Sequence, residues 1–169
     1  MHVIKSAPGL SKAATYDEAQ TQLAGLFADE RNALANAANM CALLFQMLPD
    51  VNWVGFYFLV GAELVLGPFQ GKVACVRIGM GRGVCGTAAA RREILVVPDV
   101  NEFPGHIACD AASRSEIVLP LIQHGRLLGV LDLDSPERAR FDHEDRDGLQ
   151  ACVGLLLNAS ELGKLAEPG

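Results

Sequence analysis

The chain has 169 residues, half of them hydrophobic, with a formal net charge of −6 and a mean hydropathy of +0.23. That length suits one domain able to bury its own core. The acidic balance argues against nucleic acid or an anionic membrane as a partner, since both need a basic footprint. No apolar run approaches the roughly 20 residues of a membrane span, and the first residues lack the apolar stretch of a secretory signal. Five cysteines cannot all pair in a closed disulfide framework, so a cytoplasmic protein with reduced thiols is expected.

Residues 1–14 show no periodicity and read as a loose arm, residues 15–162 as a single domain and residues 163–169 as a tail. Thr15-Tyr16-Asp17-Glu18 fits a capping box that starts a helix reaching about Asp29. A second helix is expected over residues 32–48, with Leu34, Ala37, Cys41, Leu44, Phe45 and Leu48 on one face and Pro49-Asp50 as its stop. Strands follow at residues 52–60, 63–66 and 72–78. A glycine-rich loop, residues 79–86, then opens a short helix over residues 87–91. Further strands are expected at 93–97, 116–123 and 126–134. A last helix starts at Asp142, with Leu149, Cys152, Val153, Leu156 and Leu157 as its apolar stripe. This order predicts an α+β domain: an antiparallel sheet with the terminal helices on one face and long functional loops over the other.

The cysteines divide by context. Cys41 and Cys152 fall on helical apolar stripes and read as core. Cys75, Cys85 and Cys109 sit in the loop-rich middle among Gly, Arg, His and Asp, and are the candidates for thiol chemistry. Strand alternation would put Cys75 on one face with Arg77, whose guanidinium favours a thiolate. Cys85, placed just before a short helix, would gain the same from free backbone amides. Zinc sites use paired spacings, and none is present; His106-x-x-Cys109 could give two ligands, but no metal site is expected.

Val130-Leu131-Asp132-Leu133-Asp134 alternates, with both leucines toward the core and both aspartates on the other face beside Glu116. Such a face can be merely solvated. Alternatively, clustered carboxylates are relieved by a ligand ammonium or by holding a proton, as a general acid does. Trp53, as a strand aromatic, fits a core position as well as a ligand wall.

Several segments together resemble a known family. They are Val51-Asn52-Trp53-Val54-Gly55-Phe56-Tyr57, Leu66-Gly67-Pro68-Phe69-Gln70-Gly71, Gly83-Val84-Cys85-Gly86-Thr87, His106-Ile107-Ala108-Cys109-Asp110 and Leu131-Asp132-Leu133-Asp134-Ser135. In this order they are similar to the free methionine-(R)-sulfoxide reductases, stand-alone GAF-domain enzymes, from about Thr15 to Leu157. The resemblance implies a GAF-like fold and a substrate of free methionine-(R)-sulfoxide. It makes Cys109 the nucleophile, Cys75 the resolving cysteine and Cys85 a third, less essential thiol. Trp53, Glu116, Asp132 and Asp134 match the substrate-pocket positions, with Glu116 also a candidate acid. It implies no bound cofactor, thioredoxin as the source of reducing equivalents, and a homodimer. The competing class is a non-catalytic GAF sensor of redox state or of a small ligand.

Overall fold

The computed structural model describes residues 9–105 and 112–166. Its first helix, α1 (Lys12–Phe27), opens at Ser11, whose hydroxyl accepts from the Ala14 amide. The capping box expected at Thr15 does not form. Thr15 Oγ1 donates to the Ser11 carbonyl inside the helix, and the Glu18 carboxylate accepts from Gln22 instead. The helix starts earlier because Lys12, read as part of the arm, is held by Asp142 and Asp145 at the start of the last helix.

Helix α2 (Ala33–Met47) starts where expected, with Asn32 as N-cap accepting from Ala35. Leu34, expected on its apolar face, is 54% exposed; Ala33, Asn36, Met40 and Leu43 turn inward with Ala37, Cys41 and Leu44.

Among the described residues the strands are β1 (Trp53–Val60), β2 (Glu63–Gly71), β3 (Arg77–Gly79), β4 (Leu95–Val97), β5 (Ser115–Gln123) and β6 (Arg126–Ser135). They form one antiparallel sheet in the order β3-β2-β1-β6-β5-β4. Two strand expectations need correcting. β2 runs on to Gly71, because β1 supplies pairing partners as far as Trp53. Residues 72–76 are irregular rather than the start of the third strand. Gly71, at φ +123°, turns the chain off the sheet, and Val73 and Val76 then face solvent at 87% and 65% exposure.

Helix α3 (Gly83–Arg91) begins four residues before its expected start. Helix α4 (His143–Ala159) opens at Asp142 as expected, and the structure adds a capping box in which Asp145 reciprocates. Alternation along the strands sorts the two faces. Val54, Phe56, Ile117, Leu119, Leu131 and Leu133 pack under α1, α2 and α4, whereas Trp53, Tyr57, Val118 and Val130 face α3 and the loops. The fold is thus the expected α+β arrangement, with one sheet face left to build a site.

Candidate active site

The sheet's register assembles the site. Trp53 on β1 pairs with Asp134 on β6, which pairs in turn with Glu116 on β5, so the three cross the sheet in one row. The next row on the same face is Gly55, Asp132 and Val118. Gly55 matters because it carries no side chain. A Cβ there would lie 2.2 Å from Trp53 Cη2, so only glycine lets the indole lie flat across the strand. The indole stacks on Phe69 (centroids 5.5 Å apart, planes at 14°) and its Nε1 donates to the Lys72 carbonyl at 3.0 Å.

Above this floor stands α3, whose third residue is Cys85. Between them lies a cleft of about 570 Å³, counted with its open mouth. It is lined by Trp53, Glu116, Asp132, Asp134 and Cys85, the expected residues, together with Tyr57, Lys72, Arg82, Gly83, Val84 and Ser113, among others.

Burial sets the electrostatics. Glu116 and Asp132 are 5% and 6% exposed, and Cys85 Sγ lies 3.9 Å from Glu116 Oε1. Burial, then the charges of Asp132 and Asp134, pushes the Glu116 carboxyl well above the usual range. Burial pushes Asp132 up to about 7, against hydrogen bonds with Cys85 and Glu116 that favour its ionised form. The pair therefore holds a proton well above the pH at which ordinary carboxylates lose theirs. Among the described residues, Asp132 Oδ1 has no hydrogen-bond partner.

Cys85 departs from expectation. It lies within the first turn of α3 rather than before it, and burial and then the facing carboxylates drive its thiol well up rather than down. Nearby anions and lost solvent outweigh the helix amides. Cys85, Glu116 and Asp132 bring a sulfur and two carboxylate oxygens within 4.8 Å of one another, a set that could hold a divalent metal or an organic cation.

The other cysteines separate. Cys75 falls in the irregular segment, half-buried against the α3-side cluster and outside the cleft lining. It shares no strand face with Arg77, whose guanidinium pairs with Glu63 at 3.3 Å. Cys109 and His106 lie outside the described residues. Cys41 and Cys152 are fully buried, as expected; the Cys41 thiol donates to the Pro68 carbonyl, and burial pushes Cys152 up to about 12. Sequence reasoning missed Gly55, Arg82 and Ser113. Only Gly55 carried a signal, as a glycine inside an aromatic strand.

Known proteins share this sequence and fold over nearly the whole chain. The GAF domain family model matches residues 19–159. The free methionine-R-sulfoxide reductase of Escherichia coli is 52% identical over 147 residues, covering 87% of this chain and 89% of that protein. The Saccharomyces cerevisiae protein of the same name is 41% identical, covering 90% and 89%. The crystal structure of the Neisseria meningitidis free methionine-R-sulfoxide reductase, in complex with its substrate, superposes with a TM-score of 0.91 at 45% identity, over 98% of this chain and 99% of that one. The chain belongs to the GAF-domain family of free methionine-R-sulfoxide reductases.

Proposed function

We propose that this chain reduces free methionine-(R)-sulfoxide to methionine, with Cys109 as the nucleophile and the cleft over Glu116, Asp132 and Asp134 as its substrate site. The observation that carries the reading is the buried acid pair at the floor of a cleft. Buried carboxyls held near neutrality can do two things that this substrate requires. Ionised, Asp132 and Asp134 attract the α-ammonium of a free amino acid, a charge that an internal methionine of a peptide lacks. Protonated, Glu116 can give its proton to the sulfoxide oxygen as that oxygen leaves sulfur. Trp53 walls the apolar S-methyl end.

In the reaction, the Cys109 thiolate attacks the sulfoxide sulfur, and the oxygen, protonated by the site's acid, passes to the cysteine. Methionine departs with two more electrons than the sulfoxide, and Cys109 is left as a sulfenic acid. The Cys75 thiolate displaces that hydroxyl, which takes up a proton and leaves as water, forming a Cys75–Cys109 disulfide. An external dithiol, thioredoxin, then reduces the disulfide and is itself oxidised. Cys85, with its raised thiol, stays protonated and serves as a neutral neighbour of Glu116.

The test is turnover with thioredoxin, thioredoxin reductase and NADPH, followed as NADPH loss. The (R) epimer of the free amino acid should be consumed, while the (S) epimer and an internal peptide sulfoxide should not. Cys109→Ser should abolish turnover. Cys75→Ser should retain a single turnover per active site but lose recycling by thioredoxin. Absence of (R)-dependent NADPH loss would sink the reading in favour of a sensor, and an active Cys109→Ser variant would remove the assigned nucleophile.

A further inference from the structure

The chain around Cys75 differs from the rest of the surface. Val73 and Val76, two positions before it and one after, are 87% and 65% exposed. With Met80, this stretch holds three of the six large apolar side chains that stand exposed among the described residues. Single exposed valines are ordinary, whereas a group of apolar side chains on one surface marks a contact site. Strand pairing does not turn these inward, because Gly71 has already taken the chain off the sheet and residues 72–76 are irregular.

The charge of this stretch is also distinctive. Residues 64–82 contain Lys72, Arg77 and Arg82 and no Asp or Glu, in a chain of net charge −6. All three cations are exposed. Arg77 is partly offset by Glu63 at 3.3 Å, while Lys72 and Arg82 line the cleft. An apolar surface with a basic rim complements an apolar surface with an acidic rim. The chemistry says what must come to this place. A Cys75–Cys109 disulfide is reopened by thiolate attack on one of its two sulfurs. Half-buried Cys75, between the exposed valines, is the sulfur that this surface offers.

From this we infer that residues 72–77 are the docking surface for the reducing protein dithiol, with Val73 and Val76 as its apolar contacts and Lys72 and Arg77 at its rim. That assignment rests on Cys75 being the resolving cysteine of the cycle proposed above. The docked protein's thiolate attacks Cys75 Sγ, so that a disulfide forms between the two proteins and Cys109 leaves as a thiolate. The second cysteine of the dithiol, as thiolate, then attacks its bonded neighbour and releases the Cys75 thiolate. The dithiol loses two electrons and becomes a disulfide. Its two thiol protons are returned to Cys75 and Cys109.

The experiment compares thioredoxin with dithiothreitol, a small dithiol that needs no docking surface, as reductants of the wild type and of Val76→Asp. Val76 is exposed and lies outside the cleft lining. Val76→Asp should raise the KM for thioredoxin about tenfold, the scale of losing one apolar side chain and gaining a like charge at a contact. Turnover with dithiothreitol should be unchanged, which also shows that the variant folds. Raising ionic strength from about 0.05 M to about 0.5 M should raise the wild-type KM for thioredoxin several-fold. A thioredoxin whose second cysteine is replaced by serine should be trapped on Cys75 of the oxidised protein, read by peptide mass mapping. An unchanged KM in Val76→Asp, an equal loss with dithiothreitol, or trapping on Cys109 would overturn the assignment. So would dissociation of a wild-type dimer by Val76→Asp, which would give the surface to a second copy of this chain. A wild type reduced by neither dithiol would instead remove the underlying reading of the cycle.

Discussion

An aspartate on a wetted sheet face ionises near pH 4; at Asp132, burial moves that event up to about 7. The ammonium of a bound amino acid needs the ionised form, so binding must expel the proton below that pH. The dissociation constant of the free substrate for the Cys109→Ser variant, measured by calorimetry, should therefore fall several-fold as pH rises from about 6 to about 8. Adding Asp132→Asn should weaken binding and flatten this dependence. A pH-independent constant in the parent variant would contradict the assignment. Position along the strand made this residue legible, since alternation separates Asp132 and Asp134 from Leu131 and Leu133 in the bare sequence. Its neighbours did not share that legibility. Cys85 meets Glu116 through a contact 31 positions apart, which no local pattern reports, and a helix-terminal thiol that looks activated proves deactivated by the acids opposite. Arg82, inside the glycine-rich segment 79–86, carried no signal for the same reason: it joins these acids only as part of the cleft lining.

The pairing of α1 with α4 shows how one absent side chain positions an element. The ring of Tyr16 lies against Gly148, where an added Cβ would meet Tyr16 Cγ at 2.2 Å. The Tyr16 hydroxyl donates to Asp145 at 2.8 Å, and Arg140 donates to the same oxygen. Gly148→Ala should push α1 off α4 and destabilise the fold by about 1–3 kcal/mol, despite alanine's better helix propensity. Gly154, in the same helix, has nothing within 4 Å of its Cβ, so Gly154→Ala should stabilise by about 0.5–1 kcal/mol. Thermal unfolding of the two variants should thus move in opposite directions, and a shared direction would refute the packing argument. Elements whose signals are local, such as the starts of α2 at Asn32 and of α4 at Asp142, could be read to within a residue. Elements that depend on a distant partner could not. The start of α1 depends on acids at the head of α4. The third strand is shorter than expected: residues 72–76 have strand-like side chains, but Gly71 turns them off the sheet, and the Leu66 amide meets them at the Val76 carbonyl.

At the scale of the molecule, two charge clusters pull stability in opposite directions with pH. Lys12, hydrogen-bonded to Asp142, holds that carboxyl down at about 2. Its contribution is present above the unfolded value near pH 4 and is lost as pH falls through about 2. Asp132 has the opposite sign: a folded pKa raised to about 7 contributes fully below pH 4 and is lost as pH rises through about 7. Ionised, buried Asp132 is therefore a source of instability at neutral pH. Asp132→Asn should raise the Tm at about pH 8, and the gain should vanish by about pH 4. A gain independent of pH, or a loss at pH 8, would show that Asp132 is not strained when ionised. The sheet accommodates this by division of labour. One face buries the leucines, valines and phenylalanines under three helices, and the other is free to carry acids.

Trp53 is the only tryptophan in the chain, and its indole forms part of the cleft wall. The protein's intrinsic emission under red-edge excitation consequently originates from one fluorophore, stacked on Phe69 and in register with Asp134. No background indole dilutes its signal, so ligand entry and carboxyl ionisation can be followed optically on the unlabelled, unsubstituted protein. The residue that shapes the substrate's apolar end is at the same time a built-in spectroscopic reporter of its occupancy.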